Sequence, residues 1–260
     1  MKNPNSVLES YADAFRDLVN ARVWARGQSP AEALRLNSES DWNFICVAMD
    51  VVGDASLAID DFLRFSLDGP SRYDSVGERY LRLYGLLSAA YVQQQAILKL
   101  YSLMNCHKPK DVQAKFNELK IRVLRHQLAS HSVDFLEPGT NKTQAFVPVR
   151  VGLSGFSCTV TENRGDATRT IKLDEAVNAH CTAMVEVLDQ IYEKSVKTLF
   201  KGQDSKIAEF SKKLDDLRFV RDGNLIIRAG KEGDQSEIRV VFVPSRITRH
   251  STGRAKTARR

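Results

Sequence analysis

Long hydrophobic runs are absent from this 260-residue chain. No apolar stretch approaches the ~20 residues that cross a bilayer, and the N-terminal residues lack the apolar core of a signal peptide. Internal repeats and a glycine-rich nucleotide-binding loop are missing as well. The sequence therefore predicts a cytoplasmic protein with no membrane partner, and it offers no nucleotide-binding motif.

Cysteine is sparse, and its spacing argues against a metal centre. Cys46, Cys106, Cys158 and Cys181 lie far apart, with no Cys-x-x-Cys pair and no paired histidines nearby. A structural zinc site needs clustered ligands, so we expect no metal and no cofactor. The four residues are predicted to be reduced thiols in or near the core.

Positive charge is concentrated in two places. The net charge is +6, and the chain outside residues 244–260 carries 32 basic and 32 acidic residues, so the C-terminal segment supplies the whole excess. That segment has no acid and no apolar periodicity, which predicts a disordered basic tail. Residues 107–131 form a second basic region, with six Lys or Arg against two acids. The positive charges of such a region can bind the phosphates of RNA. Alternatively, these side chains form a solvated helix face with no ligand.

Hydrophobic periodicity predicts a mainly α protein, a helical bundle with small antiparallel β elaborations and a flexible basic tail. Residues 1–37 are expected to form an N-terminal helical segment. Residues 38–217 would form the bundle, with a β insertion at about 145–172. A β-hairpin would cover 218–243, and the tail 244–260.

Within these limits the apolar stripes place the individual elements. Long helices are expected at 40–67, 79–104 and 174–201, and another helix is expected to run from Val112 through Leu124 into the residues that follow. Gln93, Gln94 and Gln95 are interpreted as a solvated strip of the second long helix. His180 is expected to be packed or solvated, and not catalytic.

The residues that carry chemistry form one short segment, Arg125-His126-Gln127-Leu128-Ala129-Ser130-His131. A histidine can take a proton from a ribose 2′-hydroxyl, and an arginine can stabilise the charge that builds on a phosphate. Arg125, His126 and His131 are therefore the candidate catalytic residues for metal-independent RNA cleavage. Lys115, Lys120 and Arg122, which precede them, are the candidate RNA-binding residues.

A helical bundle with an Arg, a polar residue, four further residues and a His at the end of its third long helix resembles the HEPN superfamily. The resemblance covers about residues 40–135 and the helix at 174–201. It implies a metal-independent endoribonuclease with an active cleft between two protomers, acting as a toxin or an anti-phage effector under an antitoxin or regulatory protein. Arg125 matches the family Arg, His126 the polar position and His131 the family His. Val133 stands where one subgroup has a Tyr that its antitoxin modifies, which puts that control in doubt.

On an ideal α-helix, Arg125 and His131 would point about 120° apart. Their convergence requires a looser last turn or a homodimer that pairs residues across its axis. Alternatively, His131 only ends the helix, with its charge near the negative end of the helix dipole. Two functions from other classes also stay open, namely a non-catalytic bundle that binds a protein and an RNA-binding module.

Overall fold

The computed structural model describes residues 4–24, 27–70, 75–137, 139–140, 142–163, 165–229 and 236–242. The α-helices in these ranges are α1 (Pro4–Val23), α2 (Pro30–Leu34), α3 (Ser40–Phe65), α4 (Val76–Leu103), α5 (Pro109–Asn117), α6 (Lys120–Arg125), α7 (Leu173–Leu199) and α8 (Asp204–Arg221). The strands are β1 (Phe135–Leu136), β2 (Thr143–Gln144), β3 (Phe146–Ser154), β4 (Ser157–Glu162), β5 (Ala167–Lys172), β6 (Leu225–Ala229) and β7 (Ser236–Val240). The expected basic tail lies outside the described residues.

The protein is mainly helical with small antiparallel sheets, as predicted, and α4 is the central helix. It packs against α3, α6 and α7, while α1 packs against α3 and α7. Both α3 and α4 place apolar residues inward at helical spacing, and the fully buried ones include Ile45, Ile59, Leu83, Leu87 and Ile97. Burial of this kind stabilises the fold by roughly 25 cal/mol per Å² of apolar surface removed from water.

The N-terminal segment shares this core. Leu8, Tyr11, Phe15 and Leu18 of α1 are buried in the same hydrophobic cluster as the inner faces of α3, α4 and α7. The expected boundary at residue 37 falls just before α3, and core residues lie on both sides of it. One continuous core therefore includes α1 and the bundle.

A three-stranded antiparallel sheet, in the order β3-β4-β5, packs on the bundle. Phe146, Leu153, Cys158 and Val160 turn inward from it and are buried. The β3–β4 turn is tied to the end of α3, because the Leu67 amide donates to the Gly155 carbonyl over 3.0 Å. These three strands lie within the β insertion expected at about 145–172, and α7 follows β5 directly.

Three of the four cysteines are buried thiols, and Cys46 is half-buried. None of them is disulfide-bonded. Burial raises the pKa of Cys158 to about 11 and that of Cys181 to about 12. The thiolate is the reactive form of cysteine, so these two side chains behave as small apolar residues of the core.

Among the described residues, α3 is the one helix long and apolar enough to span a membrane, with a mean hydropathy of 1.4 in its most apolar window. Its inner stripe lies in the bundle core, where it contacts α4 and α1. A core helix of a soluble protein meets the same criteria of length and composition. The helix is therefore weak evidence for a membrane span and is consistent with a soluble protein.

An ion-pair cluster joins α1, α7 and α8. The Asp189 carboxylate accepts from the Tyr11 hydroxyl at 2.9 Å and from the Arg218 guanidinium at 2.6 and 2.9 Å, and Arg221 lies 3.2 Å away. Burial raises the pKa of Asp189, but the bonds from Arg218 and Tyr11 outweigh it, and the pKa falls below 3.8. The ionised carboxylate is thus the form that holds the three helices together.

Replacing Asp189 with Asn should lower the free energy of unfolding by about 2 kcal/mol. The variant leaves two arginines facing a neutral amide at a largely buried position, and loss of one partner of a buried pair costs more than an exposed pair contributes. We expect urea unfolding at pH 7 to measure this difference.

The matched control is Asp50→Asn, which breaks the Arg16–Asp50 pair on the surface, where the two side chains are 45% and 69% exposed. Its effect should stay below about 0.5 kcal/mol. Equal losses in the two variants would contradict the role assigned to Asp189.

Candidate functional site

The candidate motif begins in α6 and continues into a π-helical turn, His126–Ser130. The single helix expected from Val112 into the motif is wrong, because α5 ends at Asn117 and Leu119 is extended (φ −62°, ψ 130°). The break has a physical reason. Phe116 and Ile121 are both buried, and residues five apart on one continuous α-helix would point about 140° away from each other.

The π-helical turn brings the two motif histidines together. The His131 amide donates to the His126 carbonyl at 2.8 Å, a bond between residues five apart. The wider turn places the two imidazoles nearly parallel, with ring centroids 6.3 Å apart and planes inclined by 18°. The last turn is therefore looser than an ideal α-helix, which is one of the two arrangements that convergence of Arg125 and His131 was expected to require.

Arg125 sits beside these rings on an aromatic support. Its guanidinium carbon lies 3.6 Å from the centroid of the Tyr91 ring of α4, a cation–π contact. The positive charge of Arg125 lowers the pKa of His126, and the neighbouring His131 lowers it as well. No hydrogen bond from the Arg125 guanidinium joins it to the described part of the chain, so its donors are available to a ligand.

Arg122, one of the candidate RNA-binding residues, points into the bundle. The residue is only 7% exposed. Its guanidinium donates from Nη1 to Gln94 Oε1 at 3.0 Å and from Nε to His126 Nε2 at 3.2 Å, and it also stacks on Tyr91. Arg122 is therefore a support for His126.

His126 has a lowered pKa. Burial is the largest cause of the lower pKa. The positive charges of Arg122 and Arg125 and the neighbouring His131 lower the pKa further. The ring is thus neutral at pH 7. Its Nε2 accepts from Arg122, which leaves the proton on Nδ1.

His131 is the exposed histidine of the pair, at 54% side-chain exposure, and its Nδ1 lies 3.3 Å from the Asp134 carboxylate. A carboxylate there favours the tautomer with hydrogen on Nδ1, whose Nε2 lone pair can accept a proton. Asp134 was missed by the sequence analysis. The signal available was an acid three residues after His131 in the same short loop.

The two lysines lie apart from this centre. Lys115 is exposed and pairs with Glu186 of α7 at 2.5 Å. Lys120 is exposed and lines a cleft of about 330 Å³ that also contains Gln127 of the π-helical turn and Arg169 of β5. Arg169 donates to the Gln127 carboxamide and was also missed, because only the folded sheet brings β5 to the motif.

A second cavity, of about 420 Å³, opens next to His126. The β1–β2 hairpin, β3 and β5 supply most of its wall, and its lining residues include Phe135, Glu137, Gln144, Phe146, Glu162 and Arg169. The β segments, expected only as additions to the bundle, therefore form one side of the site.

No protein-family model, curated protein or solved structure matches the chain. Among the described residues, no group of three His, Cys, Asp or Glu side chains could hold a metal ion. The likeness to the HEPN superfamily therefore rests on the motif and the helical bundle alone, and the function is inferred from the geometry of the site.

His126 should titrate below pH 6.5, and Arg125→Gln should raise its pKa part of the way back. The substitution removes one of the positive charges that oppose protonation, while burial and Arg122 remain. A pH titration of the His126 ring protons by NMR measures both values. A His126 that is protonated at pH 7, or that titrates identically in the variant, would contradict this electrostatic description.

Proposed function

We propose that the protein is a metal-independent endoribonuclease of the HEPN type that cleaves single-stranded RNA. One observation carries the proposal, namely the π-helical turn that stacks His126 on His131 beside an arginine whose guanidinium is available. Proton transfer and stabilisation of phosphate charge are what cleavage by a ribose 2′-hydroxyl needs. DNA lacks that hydroxyl and would not be cleaved.

In this proposal His131 is the general base. Its Nε2 takes the proton of the 2′-hydroxyl while the 2′-oxygen attacks phosphorus, and Asp134 holds the ring and stabilises the imidazolium that forms. The bond from phosphorus to the 5′-oxygen breaks, the leaving oxygen takes a proton from water, and the product carries a 2′,3′-cyclic phosphate. Arg125 binds the phosphate and stabilises the charge of the transition state.

His126 has a different task in this scheme. A neutral imidazole whose Nε2 already accepts from Arg122 is a poor proton carrier, since loss of the Nδ1 proton would leave an anion. It can donate one hydrogen bond from Nδ1. This geometry supports a role for His126 in orienting the pair, and not a role in proton transfer.

Basic residues near the site would guide RNA to it. Lys120 and Arg169 line the adjacent cleft, although Glu118 and Glu175 line it as well. The basic segment 244–260 would gather phosphates without selectivity, an effect that weakens as salt rises. A toxin or anti-phage role, with an antitoxin or regulatory protein as partner, is what the HEPN resemblance implies.

Arg125→Ala and His131→Ala should each lower RNA cleavage by about 100-fold or more in the presence of EDTA. Both side chains are partly exposed, so we expect the fold to survive, as thermal unfolding would show. The assay follows a labelled single-stranded RNA and identifies the cyclic phosphate at the new end.

The control is His107→Ala, which removes an exposed histidine outside the motif and should leave the cleavage rate unchanged. Cleavage that requires a divalent metal, or full activity in both motif variants, would refute the enzyme. RNA binding without cleavage in the wild type would favour the RNA-binding module.

The active form should be a homodimer that associates through the helices around the motif. Val92 follows Tyr91 on α4 and is 42% exposed, so Val92→Glu places a charge on the exposed surface of α4 one residue from Tyr91. We expect sedimentation to give a dimer for the wild type at micromolar concentration and a shift towards monomer for the variant. Leu57→Glu on α3, at a position that is 67% exposed, is the control and should leave the dimer intact. A monomer that cleaves RNA would contradict the shared cleft.

A further inference from the structure

A chain of hydrogen bonds runs from His126 into the centre of the bundle. It passes from Arg122 to Gln94 Oε1 at 3.0 Å, from Gln94 Nε2 to His180 Nδ1 at 3.2 Å, and from His180 Nε2 to Gln93 Oε1 at 2.8 Å. Gln93 Nε2 ends the chain on α3, at the Val52 carbonyl and the Ser56 hydroxyl. Four helices, α3, α4, α6 and α7, contribute to it.

Only one assignment of hydrogens satisfies every member of this chain. Arginine can only donate, so Gln94 Oε1 accepts and Gln94 Nε2 donates. His180 Nδ1 is then the acceptor, and its Nε2 carries the hydrogen that Gln93 Oε1 accepts. At the outer end, Arg122 Nε also donates, so His126 Nε2 is an acceptor and its hydrogen lies on Nδ1.

The inner members have no access to solvent. Gln93, Gln94 and His180 are all 0% exposed, so each missing bond would leave a buried polar group unsatisfied. Burial lowers the pKa of His180 to about 3, which keeps its ring neutral and able to accept at Nδ1. The chain is therefore locked in one arrangement at neutral pH.

Packing alone does not require these polar side chains. If Gln94 and its partners were all apolar residues of similar size, they would fill the bundle centre at little cost. The Gln94 carboxamide instead donates a hydrogen bond to His180 and accepts one from Arg122. It thus links the bundle centre to the motif.

We propose that Gln94 and His180 are positioning residues that act through Arg122 to hold His126 in one ring orientation and one tautomer, with its Nδ1–H presented to the substrate phosphate. The link to phosphate rests on the proposed ribonuclease function. The link to the His126 tautomer does not. His126 is then a hydrogen-bond donor to the substrate. Of the two histidines, only His131 takes up the proton of the 2′-hydroxyl.

The test reads the His126 tautomer directly, from the ¹⁵N shifts of its two ring nitrogens in the full-length protein at pH 7. In the wild type we expect the Nδ1–H form. In Gln94→Leu, Arg122 loses its inner anchor, and we expect a mixture of both tautomers. Gln95→Leu is the matched control, since Gln95 Nε2 is buried with no hydrogen-bond partner among the described residues and stands outside the chain. It should keep the wild-type spectrum.

Cleavage gives the second readout. Gln94→Leu should lower kcat by about 10- to 100-fold, the effect of losing one hydrogen bond to a charged group, with a much smaller change in KM. An unchanged His126 tautomer in a folded Gln94→Leu protein overturns the proposal. So does the Nε2–H form in the wild type, a measurement that needs no variant to fold. Absence of cleavage with the expected tautomers would refute only the ribonuclease.

Discussion

Two adjacent glutamines at the centre of the bundle have no access to water and must find partners inside the protein. A buried carboxamide without hydrogen bonds costs about 1–3 kcal/mol, so Gln93 and Gln94 constrain three of the helices that pack against α4. Their partners come from α3, α6 and α7, and a shift of any of these helices along its axis would break at least one bond. Apolar packing alone tolerates such shifts far better. The register of the bundle, and with it the position of the motif, depends on this polar centre.

The same requirement explains one error of the sequence analysis. Gln93, Gln94 and Gln95 were interpreted as a solvated strip, but the first two are fully buried. A polar residue type normally indicates an exposed position. The middle of α4 is apolar nearly all round, however, so this helix has no exposed face that could hold all three glutamines. His180, which was expected to be packed or solvated, is packed. Its bonds to the two glutamines could not be foreseen, because they join residues nearly ninety positions apart in the sequence.

Helices and strands with a clear period were predicted well, since burial of one face leaves a repeated pattern in the sequence. The motif residues were found as a linear pattern, whereas Tyr91 and Arg169 join them only through the fold. The π-helical turn has no residue preference of its own that would reveal it. Its cause is tertiary, since the β sheet holds Gln127 through Arg169 while the bundle buries Leu128.

The π-helical turn also determines which kinds of sequence change the site can tolerate. A turn closed between residues five apart contains one residue more than an α-helical turn. Deleting a single residue between His126 and His131 would allow an ordinary α-helix to form with the two histidines four apart on one face. Inserting a residue would put them six apart, about 120° from each other on such a helix. Side-chain replacement at Ala129 or Ser130, both exposed, leaves the backbone path unchanged. An insertion in this segment would therefore separate the two histidines more effectively than most substitutions, whereas a single deletion would remove the π-helical turn and keep the histidines on one face.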